Sequence, residues 1–181
     1  MKWIFRTIFL ILALFILAGV FGATRPSEVG TEQLKVIDAA PEDIFPYFNN
    51  LETHVFWSPW LTGDADIDVV YGGPPNGRGQ TMAWRSTNAD IGVGTQEIAE
   101  SQPGSFVRAD MQTEKQGLVM TYAVSENDDG DTVALMGAQI DLGGFPFVQR
   151  LFAGSRIKAL DEKLAAGLDT LERVVTENSG D

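Results

Sequence analysis

Trp57-Ser58-Pro59-Trp60 is the stretch around which the chain organises, because two of its four tryptophans stand three residues apart across a Ser-Pro turn. Each indole can bury about 150–250 Å², and Pro59 sets the turn that aims them. Such a pair anchors a core or frames the mouth of a pocket. On its own the motif names no ligand.

Upstream, Leu34 and Val36 alternate with Gln33 and Lys35, a first strand that ends before Ala39-Ala40-Pro41. Pro41 suits the first helical position. Ile44, Phe45 and Phe48 share one helical face, and Pro46 beside them predicts a short or kinked helix. Downstream the period turns to two, the mark of half-buried strands. Ile67, Val69 and Tyr71 alternate with Asp66, Asp68 and Val70; Met82 and Trp84 with Thr81, Ala83 and Arg85; Val107, Ala109 and Met111 with Arg108, Asp110 and Gln112. Residues 91–98, 118–124 and 132–140 also read as extended, without a clear inward face. Breakers separate them at 72–77, 102–104 and 127–131, which predicts an antiparallel meander.

The last segment changes period again. Ile157, Leu160, Leu164, Leu168, Leu171 and Val175 recur at spacings of three and four, with charged residues on the other faces. This predicts an amphipathic helix of about 20 residues or more, starting near Val148. A short helical segment, a run of strands and one long helix whose stripe needs covering make an α+β layer structure with one antiparallel sheet.

From Ile8 to Ala23 no residue is charged, and Lys2 and Arg6 precede the run. Sixteen helical residues span about 24 Å, and extension back to Trp3 gives about 31 Å against a hydrocarbon core of roughly 30 Å. The segment also reads as a signal peptide with a cleavage site at Val20-Phe21-Gly22. An aromatic residue in that site and Arg25-Pro26 after it favour an uncleaved anchor. Either reading exports the rest: residues 1–24 as anchor or signal, 25–30 as linker, 31–176 as the domain and 177–181 as a disordered tail. The expected location is the cell membrane, single-pass, with the domain outside the cytoplasm, or secretion after cleavage.

Without Lys2 and Arg6, 11 basic residues face 25 acidic ones, a formal charge of −14. A polyanion repels phosphate backbones, so nucleic acid is excluded as a partner. The chain has no cysteine, which removes disulfides, thiolate nucleophiles and thiolate metal sites.

The order of elements, with Ala40-Pro41, Trp57-Ser58-Pro59-Trp60, the Gly77-Arg78-Gly79 turn before Ala83-Trp84-Arg85, and Glu97-Ile98 leading to Pro103, resembles the polyketide cyclase/dehydrase branch of the START-like (SRPBCC) superfamily. It is similar in particular to membrane-anchored bacterial members. The resemblance covers Thr31 to Val175. It implies a helix-grip fold, with a curved antiparallel sheet around the long C-terminal helix, an apolar cavity between them and one hydrophobic helix in front. Two departures touch cavity size and ligand type: Thr132–Ile140 holds no aromatic residue, and Pro46 interrupts the first helix.

Trp57, Trp60, Tyr71, Met82, Trp84, Met111, Met120 and Tyr122 are aromatic and soft side chains suited to a pliable cavity. Leu160 and Leu164 of the helix stripe complete the expected ligand-binding set. A packed core is the competing account of each. The single histidine, His54, reads as a surface or helix-end residue, with a general base or ligand contact as the sharper alternative. Asp64, Asp66 and Asp68 read as solvated carboxylates on one side of a strand, since a calcium loop needs a glutamate where Pro75 stands. Gly77-Arg78-Gly79 and Gly92-Val93-Gly94 lead into no helix and precede no P-loop lysine. Gly154-Ser155-Arg156 lacks the frame of a nucleophile elbow. No catalytic residue, metal or cofactor is assigned. The expected function is membrane-tethered, non-catalytic binding of an apolar small molecule or lipid. Cyclisation or dehydration of a polyketide-like substrate, with Tyr71, Arg85, Tyr122 or His54 assisting, and a protein-interaction module are the alternatives.

Overall fold

A computed structural model describes residues 28–141 and 153–179 of the chain. Strand β1 (Glu28–Val36) leads to α1 (Pro41–Asn49), a 3-10 turn (Leu51–Thr53) and the one-turn helix α2 (His54–Trp57). Six strands follow: β2 (Asp68–Gly72), β3 (Thr81–Arg85), β4 (Val93–Gln102), β5 (Phe106–Thr113), β6 (Gly117–Glu126) and β7 (Thr132–Asp141). Helix α3 (Ala153–Ser179) closes the described chain. All strands form one antiparallel sheet in the order β1-β7-β6-β5-β4-β3-β2, a meander whose last strand returns to the first.

The period-two patterns translate into burial. Along β3 Met82 and Trp84 face inward, along β5 Val107, Ala109 and Met111, and along β6 Leu118, Met120, Tyr122 and Val124. Leu160, Leu164, Leu168, Leu171 and Val175 of α3 are buried against this face. Pro46 lies inside α1 on its exposed side. The predicted short helix is followed at once by the 3-10 turn and α2, three brief pieces in place of one long helix. Asp64 and Asp66 precede β2 and do not lie on a strand as expected. Asp64 accepts from the Ser86 hydroxyl and from the amide of Asp66, an Asx-type turn.

Strand β1 is built the opposite way from its hydropathy. Leu34 and Val36 are 61% and 54% exposed, whereas Thr31, Gln33 and Lys35 turn toward α3. Thr31 Oγ1 and Gln33 Nε2 donate to Asp161 at 2.6 and 2.7 Å, and the Lys35 ammonium meets Asp169 and Glu172. The edge strand meets the polar flank of the amphipathic helix, so its polar residues point to the helix and its apolar ones to solvent.

Close packing depends on two missing side chains. A Cβ on Gly167 of α3 would stand 2.9 Å from Pro59 Cδ and 3.0 Å from Met136 Cε. The Ser-Pro turn therefore seats directly on the helix. A Cβ on Gly94 would lie 2.2 Å from Trp84 Cζ2, because the indole lies across its register partner on β4.

The expected single-pass placement in the cell membrane is overturned. Among the described residues no helix is long and apolar enough to cross a membrane. The one long helix, α3, carries charged residues on the faces that its apolar stripe leaves free. The hydrophobic run 8–23, and with it the expected N-terminal helix, lies outside the described residues, as does Val148.

Gly94→Ala is expected to destabilise the protein by about 1–3 kcal/mol, because a buried indole cannot move aside without disturbing its neighbours. Urea unfolding checks this; an unchanged midpoint would show that Trp84 does not depend on the gap.

Candidate functional site

Helix α2 carries His54 and Trp57 one turn apart, and both are fully buried. Thr53 Oγ1 donates to the carbonyls of Tyr47 and Asn50, and the Ser58 amide donates to the His54 carbonyl, which fixes this single turn. Buried Gln80 ties the preceding segment to the sheet: its Oε1 accepts from the Leu51 amide, and its Nε2 donates to Asn50 Oδ1 and the Pro75 carbonyl. Of the two places expected for His54, the structure gives the helix end, since it opens α2, and corrects the surface, since the side chain is buried. His54 follows Leu51 and precedes Trp57 at intervals of three, so all three side chains face the core.

There the aromatic rings converge. Phe48 stacks on Tyr122 with centroids 5.4 Å apart. The His54 ring lies 4.8 Å from Trp57 and 5.6 Å from Tyr122, and Trp57 meets Tyr122 edge-on at 5.8 Å. From β4, buried Gln96 donates through Nε2 to the Tyr122 hydroxyl at 3.2 Å. The rest of the polar inventory goes unmet: both ring nitrogens of His54, the indole N–H groups of Trp57 and Trp84, and Gln96 Oε1 are buried without a hydrogen-bond partner. A buried unsatisfied group costs about 1–3 kcal/mol, so such a concentration in one apolar interior calls for a reason. Burial lowers the His54 pKa to about 4; Gln96 and the carbonyls of Phe48 and Tyr47 oppose the shift without reaching good geometry with the ring. Burial likewise raises the Tyr122 pKa. At neutral pH the cluster is uncharged.

Trp60 leaves the same turn in another direction. It lines a cavity of about 240 Å³ with Ile91 and Val93 from the β3–β4 connection and start of β4, and with Ala159, Leu160 and Lys163 from α3. The Lys163 ammonium sits 5.7 Å from the centre of the Trp60 ring, within cation-π reach. The β5–β6 turn, with Glu114 and Lys115, and Asp90 and Arg156 complete the rim.

Of the expected ligand-binding residues, Trp60 and Leu160 border this cavity. Trp57, Met120, Tyr122 and Leu164 are enclosed in the core, with Met82, Trp84 and Met111 on the same inner face. Tyr71 is half-buried on the edge strand β2, in register with Met82. Gln96 and Phe48 were not singled out for the site, although Gln96 shares the inward phase of β4 with Gly94 and Ile98. Lys163, Lys115, Arg156 and Ile91 were missed too, and only tertiary structure brings them together.

No protein-family model matches the chain, and no curated protein matches it. Solved structures do. A Staphylococcus aureus protein of unknown function superposes with a TM-score of 0.65 at 12% identity, covering 85% of this chain and 97% of that one. A point mutant of Thalictrum flavum norcoclaurine synthase, in complex with a transition-state analogue, gives 0.63 at 14%, covering 84% and 96%. The di-domain ARO/CYC protein StfQ of the steffimycin biosynthetic pathway gives 0.59 at 14%, with 85% of this chain on 52% of that one. The chain has the helix-grip fold. At these identities the likeness shows the fold alone.

His54 makes a testable demand on pH. The unfolded chain takes up a proton near pH 6.5 and the folded chain only near 4, so the folded state is favoured fully above pH 6.5. Stability should fall by about 3 kcal/mol as pH drops from 6.5 towards 4. Urea midpoints across this window check it, with His54→Phe expected to remove most of the slope; an equal slope in that variant would refute the assignment.

Proposed function

We propose that this helix-grip domain binds an apolar small molecule between α3 and the connections around β4 and β5, and performs no chemistry on it. One observation carries the reading: a cavity opens beside Trp60 at the point where the helix, the β3–β4 connection and the β5–β6 turn meet. Its apolar wall is formed by Trp60, Ile91, Ala159 and Leu160. Concave, mostly apolar sites with a few convergent polar groups are where small ligands bind. The solved norcoclaurine synthase supports the binding half of the reading, since that protein of the same fold is captured with a small molecule, a transition-state analogue; as an enzyme it lends nothing to the absence of chemistry.

A cyclase-type reaction is the second reading, and the observation in its favour is the cluster of His54, Gln96 and Tyr122 with its unpartnered polar atoms. The imidazole there is neutral, and because burial lowers its pKa to about 4 it becomes an effective proton acceptor only where substrate or solvent restores a polar environment. The reading requires solvent and substrate to reach the cluster. Hydrogen exchange of the Trp57 indole N–H tests this by NMR, and protection equal to that of the core amides would remove it.

For the binding reading, the full-length protein is expected to enhance the fluorescence of the uncharged probe N-phenyl-1-naphthylamine. Ala159→Trp, which fills the cavity from the exposed side of α3, should weaken binding by about tenfold or more. Equal binding by the variant would place the probe elsewhere and sink the proposal.

A further inference from the structure

We infer that the cavity beside Trp60 selects an anion: a compact apolar or aromatic body bearing one carboxylate or sulfonate, held by Lys163. The inference rests on the reading of this cavity as the ligand site. In a chain with 25 acidic and 13 basic residues, three cations gather around one opening, Lys115 from the β5–β6 turn and Arg156 and Lys163 from α3. Two acids share the rim, Asp90 and Glu114. Glu114 turns toward Gly92, its Oε2 3.1 Å from where a Cβ on that glycine would stand.

Lys163 is the distinctive member. Among the described residues Lys35 meets Asp169 and Glu172, Arg108 meets Asp110, and Lys158 lies within reach of Glu162, while Arg78, Arg85, Lys115, Arg156 and Arg173 have no carboxylate at ion-pair distance and are exposed. Lys163 is half-buried, and among the described residues it has no carboxylate at ion-pair distance. Its ammonium lies against the Trp60 ring. Burial, followed by the Lys115 charge, lowers its pKa, with Asp90 acting in the opposite direction. A partly desolvated cation beside a like charge is stabilised by an anion brought in with the ligand. A cationic ligand would meet Lys163 and Lys115 together. The volume of about 240 Å³ is below the drug-sized range that begins at about 300 Å³, which favours a compact acid over a two-chain lipid.

The matched probes are 2-naphthoate and 2-naphthamide, which share shape and differ in charge. Calorimetric titration of the full-length protein at low ionic strength should show 2-naphthoate binding about tenfold more tightly, with the advantage shrinking as salt rises. Lys163→Met keeps the apolar stem and should bring the two affinities together, whereas Lys163→Arg should retain the preference. Equal affinities in the parent protein, or a preference that survives Lys163→Met, would overturn the inference and leave the binding site standing. Failure of both probes to bind would overturn the site and the inference together.

Discussion

The contact between Pro59 and Gly167 is the constraint on which the interior depends. A Cβ at Gly167 would run into Pro59 and into Met136 of β7, so glycine is what leaves room for the Ser-Pro turn against α3. A turn seated there sends its two tryptophans to different places. Trp57 enters the ring cluster with Phe48, His54 and Tyr122, and Trp60 lines the cavity beside α3. A larger residue at 167 would gain helix propensity, as Gly is about 1 kcal/mol worse than Ala in a helix interior. Retaining glycine at this position gives up that gain for the close approach of the turn.

Two buried glutamines show how unevenly the interior treats polar groups. Gln80 is satisfied at both ends of its amide, by Leu51, Asn50 and Pro75. Gln96, equally buried, has only the Tyr122 hydroxyl, and its Oε1 faces the protein without a donor. Gln80 holds a backbone turn in place, and its environment is complete. Gln96 belongs with His54, Trp57 and Trp84, whose polar atoms are also unpartnered. Unsatisfied groups in a folded interior oppose stability, and departures of this kind concentrate where a protein does something other than stay folded.

Much of the architecture could be read from periodicity alone. The alternation in residues 81–85 and 107–111 and the three-and-four spacing from Ile157 to Val175 come from side chains that share one core, so local pattern and tertiary burial agree. They disagree at β1, where the apolar residues of the alternation, Leu34 and Val36, face solvent. The strand lies at the sheet edge beside a helix flank bearing Asp161, Asp169 and Glu172, and these acids draw in Thr31, Gln33 and Lys35. His54 stands at a helix end as its position suggests, and its burial is signalled only by its spacing of three to Leu51 and Trp57. The cationic rim was illegible for a simpler reason: Lys115 and Lys163 are 48 positions apart in sequence, and only the packing of α3 beside the β5–β6 turn makes them neighbours.

Helix α3 links these features, because it presents different chemistry around its circumference. One face, from Leu160 to Val175, is the apolar stripe on the sheet. The flank toward β1 carries Asp161, Asp169 and Glu172, each engaged by the edge strand. At the cavity, Arg156, Ala159, Leu160 and Lys163 line the wall. Acids drawn to the β1 side are not available to neutralise Lys163, so the helix separates charge around its axis even though the whole chain is strongly acidic. The polar clamp on β1 therefore does more than dock the helix. By engaging Asp161, Asp169 and Glu172 on one flank, it leaves the cavity on another with three cations, Lys115, Arg156 and Lys163, against two acids, Asp90 and Glu114, where low-dielectric walls such as Trp60 and Leu160 strengthen the interaction of Lys163 with an incoming anion.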